Sequence, residues 1–270
     1  MLGTIMGAGS VVKNGAGTLT LGGGNGYTGT TTINAGTLQF DASVAGLQQI
    51  NDDSAVTIGA AGTLDLNGVS ETLASLAGAG VVQLGGGTLT IAGGNSTVFS
   101  GSIYGPGNMV KRGTGGLTLS GFNPFAGNLE INGGTVTLND SATHSALGDL
   151  ANVTVSGRGA AFSVLADETI STLSTANGSL VNIGVGATLV TSNAGNQSWN
   201  GASSGAGGLT KNGAGDLVIT GRLAHAGTTT FNAGNVFAGA ANRPTSNVLS
   251  DSSTLELGAS TVLSFTNTSL

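Results

Sequence analysis

Apolar and polar residues alternate with a period of two over short runs along the whole chain, as in Thr18-Leu19-Thr20-Leu21 and Thr88-Leu89-Thr90-Ile91. A period of two sends successive side chains to opposite faces, so these runs read as strands with one buried face. Their Thr, Val and Ile content fits strands, and the Gly or Asn-Gly between runs supplies the positive-φ residues that sharp corners need. No stretch places apolar residues at i, i+3, i+4 and i+7 with charged partners, so helices are expected to be scarce.

The runs are themselves repeated. The text of residues 11–40 returns at 109–139 and again at 209–238. Each copy opens with a lysine, a glycine-punctuated turn and an apolar pair. These are Lys13, Gly15, Gly17, Leu19 and Leu21 in the first copy, and Lys111, Gly113, Gly115, Leu117 and Leu119 in the second. In the third they are Lys211, Gly213, Gly215, Leu217 and Ile219. The lysine spacings are 111 − 13 = 98 and 211 − 111 = 100. Segments 55–67, 152–165 and 254–266 match in their apolar pairs, Glu71-Thr72-Leu73 echoes Glu168-Thr169-Ile170, and Phe99 echoes Trp199. The unit of about 100 residues is complete twice and stops about two-thirds of the way into a third. Self-similarity at a fixed period is the mark of a repeat architecture.

Many short strands with glycine corners fit either a β-solenoid or an antiparallel sandwich or barrel. Sandwich hairpins do not explain copies at a period near 100, whereas a solenoid does, because each coil stacks only on its neighbours. The expectation is an all-β parallel β-helix, one continuous solenoid over residues 1–270. Coils of roughly 20–25 residues give about 11–13 coils, with four or five to each long repeat. At roughly 4.8 Å per coil the rod is about 55–60 Å long. The irregular segments 39–53, 141–151 and 240–250 are expected to be surface excursions.

Composition narrows the function. Glycine is 50 of 270 residues without an every-third-residue pattern, which excludes collagen. Charged residues are 7% against 39% hydrophobic, the opposite of a disordered chain. Net charge is −6 and the seven Lys and Arg are scattered, so no basic face for nucleic acid is expected. There is no cysteine for a disulfide framework or thiolate site. The opening MLGTIMGAGS lacks the charged and apolar regions of a signal peptide, and no run of 18 apolar residues is present. The chain therefore reads as a piece of a longer one. Its end coils are then expected to be uncapped and to associate end to end as concentration rises.

The motif K-x-G-x-G-x-L-x-L-x-G, continued by YTGTTTINAGTL, resembles the passenger-associated transport repeat of bacterial autotransporters. The copies at Lys13 and Lys211 match closely. The Lys111 copy lacks the Thr-rich run, reading FAGNLEINGG over 125–134. The resemblance implies a right-handed parallel β-helix carried outside a Gram-negative cell, with repeats that serve secretion and folding. It also implies an outer-membrane translocator barrel as partner.

Candidate chemistry is thin. Gly24, Gly26 and Gly29 fit G-x-G-x-x-G, but Thr30-Thr31-Thr32-Ile33 follows as a strand, not the helix a dinucleotide site needs. His144 and His225 lack metal-ligand spacing and read as solvated loop residues; a triad at His144 would draw on Asp140, Ser141 or Asp149. Carboxylates on successive coils could form a polysaccharide-cleaving pair, with Asp52, Asp53, Asp65, Asp167 and Glu168 as candidates. Against this, Glu71/Glu168 and Asp52/Asp251 recur with the repeat, which favours solvated or turn-capping roles. The recurring lysines could mark a functional stripe, but are read as charging strand edges against lateral pairing. Phe99, Tyr104 and Trp199 are read as core fillers or coil-end plugs. No catalytic residue, metal or cofactor is expected. The overall reading is an extracellular stalk and folding scaffold, with an adhesive face for host glycans, cell surfaces or sister molecules as the alternative.

Overall fold

The computed structural model describes residues 3–44, 46–140, 146–192, 194–239, 248 and 254–265, which form a parallel β-solenoid of about 11 turns. The chain visits three faces in each turn. The first face runs Val11–Thr31–Val56–Leu76 by pairing, then through Gly78 and Phe99 to Leu117–Val136–Phe162–Val181–Ser203–Leu223. The second stacks Leu19, Leu38, Leu64, Val82 and Ile103, then Asn123 on Leu147, then Glu168, Leu189, Leu209, Thr229 and Leu255. The third stacks Glu71, Leu89, Met109, Leu129, Val153 and Leu173, then Gln197, Leu217, Val236 and Leu263.

The period-two pattern sets what lies inside. Leu38, Leu64, Val82 and Ile103 are fully buried, one above the next. Burying each such side chain contributes about 1.5–3 kcal/mol, so stability accumulates turn by turn along a thin aliphatic column. Among the described residues the one helical element is the short 3₁₀ turn Ala42–Val44.

Corners between faces are tight, and glycine is needed there for two reasons. At Gly36, Gly134 and Gly234 the backbone is left-handed, with φ of 70°, 62° and 78°. At Gly29, Gly101, Gly127 and Gly227 an added Cβ would run into the carbonyl of Gly9, Gly80, Gly107 or Gly207 in the turn before. The excursions add length without breaking the stack. Rungs on the first face advance by 31 − 11 = 20 residues before the first excursion, and by 56 − 31 = 25 and 162 − 136 = 26 across 41–53 and 139–151. The first excursion is not wholly superficial, because Gln49 and Ile50 within it are fully buried. Residues 141–145 and most of 240–250 lie outside the described residues.

The long repeat is not a whole number of turns. From Val11 on the first face, four turns lead to Thr97, and two further strands lead through Ile103 to Met109 on the third face. From Met109, four turns lead to Gln197, and two further strands lead through Ser203 to Leu209 on the second face. Each repeat thus occupies four and two-thirds turns. Lys13, Lys111 and Lys211 fall on the first, third and second faces respectively, so the repeat builds no lysine stripe along the rod.

Candidate functional site

The recurring lysines point into the rod. Lys13, Lys111 and Lys211 are 8%, 1% and 1% exposed, which overturns the strand-edge reading. Each Nζ donates to the carbonyl two residues on, at Gly15, Gly113 or Gly213. Lys13 also donates to Ala35 O and Lys211 to Ala233 O, both at 2.9 Å and both in the following turn. The left-handed glycine that follows brings its backbone against the ammonium: a Cβ at Gly36, Gly134 or Gly234 would lie 2.6, 3.0 or 2.8 Å from the lysine Nζ. Carbonyls turned inward at a tight corner need donors, and an ammonium carries three. Burial pushes the Lys111 and Lys211 pKa values down, with Asp216 partly restoring that of Lys211. On the outside of the same corner Asn34 Nδ2 donates to Asn14 Oδ1 at 2.6 Å and Asn232 Nδ2 to Asn212 Oδ1 at 2.7 Å. In the second copy Arg112 replaces the first asparagine of that pair.

The motif's other residues also lie in the stack. Leu21, Leu117, Leu119, Leu217 and Ile219 are buried, while Leu19 is 40% exposed. A Cβ at Gly113, Gly115 or Gly215 would strike carbonyls of the turn before, whereas Gly15 and Gly17 face open space.

The candidate carboxylates divide into two groups. Glu71 and Glu168 are buried and tether the excursions. Glu71 Oε2 accepts Gln49 N–H at 3.0 Å, while Glu168 accepts Ala146 N–H at 2.7 Å and Leu147 N–H at 3.0 Å. In both, the tethered amide lies 22 residues earlier (71 − 49 and 168 − 146). Desolvation raises the Glu71 pKa to about 7, against amide hydrogen bonds that favour its charged form. Asp52 accepts from Gln48 Nε2 and Asp65 from Asn67 N–H nearby in the chain, while Asp65 also accepts from Gln39 Nε2 and Asp167 from Thr188 N–H in adjoining turns. Asp53 is exposed. Among the described residues no three His, Asp or Glu side chains gather as a metal site.

His144 lies outside the described residues. His225 is fully buried and not solvated as the sequence suggested. Its Nδ1 is 2.8 Å from Ser203 Oγ and its Nε2 2.8 Å from Thr229 Oγ1. The spacing is that of a nucleophile and its base, but Ser203 is 2% exposed and the far partner is a hydroxyl, so the pair serves packing. Desolvation lowers the His225 pKa. The position recurs. Tyr27 OH is 2.6 Å from Thr31 Oγ1 in the first copy, and Phe125 lies four residues before Leu129, both buried, in the second. The corner accepts either a polar aromatic with Thr or an apolar aromatic with Leu. Phe99 and Trp199 occupy the same position and are buried, Trp199 Nε1 without a hydrogen-bond partner; Tyr104 is 37% exposed. Two residues before these aromatics Asn25, Asn123 and Gln197 accept the N–H of Ile5, Ile103 and Leu173 in the preceding turn, a tie the sequence reading missed.

The passenger-associated-transport-repeat family model matches residues 11–40, 81–103, 109–138 and 209–236. The match at 81–103 was not recognised in the sequence because Gln83 stands where the other copies have lysine. The chain is 35% identical over 245 residues to the adhesin BmaC autotransporter of Brucella suis biovar 1, covering 88% of this chain and 7% of that protein. No solved structure gives a significant match. The chain thus carries passenger-associated transport repeats at four places and is similar, over most of its own length, to a small part of an autotransporter.

Proposed function

We propose that this chain serves as a stalk and folding scaffold within an autotransporter passenger, displayed outside the cell and tied to the outer membrane through a translocator barrel. The observation that carries the reading is the direction of the ties. Lys13 and Lys211 reach one turn forward, Glu71 and Glu168 one turn back, and Asn25, Asn123 and Gln197 one turn back. Each folded turn therefore offers the next a complete set of edge hydrogen bonds and polar sockets, so order advances one turn at a time. A chain emerging through a pore is drawn outward by such growth. In this reading the chain performs no catalysis, since Glu71, Glu168 and the Ser203–His225 pair face the interior.

The test is to place the chain between a signal peptide and an autotransporter translocator and to measure its protease-accessible surface fraction. Display close to that of a native passenger is expected, with loss when Lys111 and Lys211 are both changed to Met. Undiminished display of that variant would contradict the reading. The adhesive alternative draws on the likeness to a protein named an adhesin. End-to-end association of the rod belongs to the same proposal and is read by sedimentation across a concentration series.

A further inference from the structure

The charges of this acidic chain are sorted by edge. All three lysines are buried, so among the described residues the exposed side-chain cations are Arg112, Arg158 and Arg222. All three stand on one edge of the rod, the corner between the third and first faces. Arg112 follows Asn108–Lys111 and precedes Gly116–Leu119. Arg158 lies between Asn152–Val155 and Ala161–Val164, and Arg222 follows Leu217–Ile219 just before Leu223. Arg158 is two turns beyond Arg112 and Arg222 three turns beyond Arg158, about 10 Å and 14 Å along the axis at about 4.8 Å per turn. Asp41, Asp65, Asp149, Asp167 and Asp216 belong to the other two edges. Asp52 and Asp53 share the arginine edge three turns before Arg112, and Glu130 on the third face is the nearest acid to it in the pairing register. Between Arg158 and Arg222 the edge is hollowed into a groove, floored by glycines and lined by Asn177, Asn200 and Thr220. Thr220 Oγ1 donates to Asn200 Oδ1 at 2.6 Å.

We propose that this edge binds a linear anionic polysaccharide, its sulfate or carboxylate groups meeting the three guanidiniums and its hydroxyls the amide and hydroxyl groups of the groove. A guanidinium presents a planar fork matched to such oxyanions. The edge is straight and its charges are spaced over five turns, which suits an extended chain and not a compact anion. This goes beyond the scaffold reading, and failure here leaves that reading untouched.

The probes are dextran sulfate and unsubstituted dextran of the same length, applied to the full chain in about 50 mM salt. Dextran sulfate is expected to bind and dextran not to. With three contacts the logarithm of affinity falls against the logarithm of salt with a slope of roughly −2.1 to −2.7, a loss of roughly 20- to 40-fold between about 50 and 200 mM. R112Q/R158Q/R222Q is expected to lose at least about tenfold, E130Q to tighten binding, and D149N/D216N, on another edge, to leave it within about twofold. Equal binding of dextran, undiminished binding by the arginine variant, or an effect of D149N/D216N as large as that of the arginines would overturn the proposal. So would tighter binding of an oligonucleotide of matched charge.

Discussion

The ammonium of Lys211 donates to the carbonyl of Ala233, one turn further along the rod, at 2.9 Å. The same bond joins Lys13 to Ala35. A residue that the alternating pattern marks as charged is thus part of the interior, and its partners are backbone carbonyls.

Replacing Lys211 or Lys111 by Met keeps the side-chain length and removes the donor. Inward carbonyls at the corner then lack a partner, which costs about 1–3 kcal/mol each in a buried setting. Chemical denaturation should show a loss of about 2–4 kcal/mol for either variant. Arg in the same place should do no better, since the left-handed glycine leaves no room around Nζ.

The corner aromatic gives a swap test. H225F alone strands the hydroxyls of Thr229 and Ser203, although Ser203 Oγ still accepts Ala224 N–H at 3.0 Å. The expected loss is about 1–3 kcal/mol. H225F/T229L, which installs the Phe125–Leu129 pair, should recover most of it in a double-mutant cycle. Additive losses would show that the two residues are not coupled.

Stability should depend on pH through two buried groups of opposite sign. The folded-state pKa of Glu71 is raised to about 7, so its contribution is complete below its ordinary value and declines as pH rises toward 7. His225 is depressed, so unfolding gains protons as pH falls below about 6.5 and stability declines there. E71Q should flatten the decline between about pH 4.5 and 7, and H225F the decline below about 6.5, in thermal melts followed by Trp199 fluorescence.

Glycines of the same motif should differ by place. G115A and G215A thrust a Cβ into carbonyls of the turn before and should cost well over about 2 kcal/mol, while G15A and G17A, facing open space, should stay within about 1 kcal/mol. Equal effects in denaturant titrations would contradict the stacking described for these corners.

Much of this was legible in the sequence. The alternation at Thr18–Leu21 and Thr88–Ile91 gave strands, and the period near 100 selected a stacked repeat over a sandwich. What the pattern could not show was rotation. Because a repeat is four and two-thirds turns long, equivalent residues change face, and residues far apart in the text, such as Arg112 and Arg222, share an edge. Burial of polar groups was equally hidden. Glu71 read as a solvated or turn-capping carboxylate and His225 as a solvated loop residue, because their partners, Gln49 N–H and Ser203 Oγ, sit 22 residues away in adjoining turns. Recurrence of Glu71 at Glu168, each after a long excursion, was the available signal.

A single stack of turns fixes the distance between equivalent residues of the repeats. Ala16 and Ala214 are exposed and hold the same place in the first and third copies. Nitroxide labels on A16C/A214C, in a chain with no native cysteine, should lie about 45 Å apart along the axis, two repeats of four and two-thirds turns at about 4.8 Å each. A narrow distribution near that value is expected. A separation under about 30 Å would contradict the stack, because only a folded-back sandwich brings the copies so close.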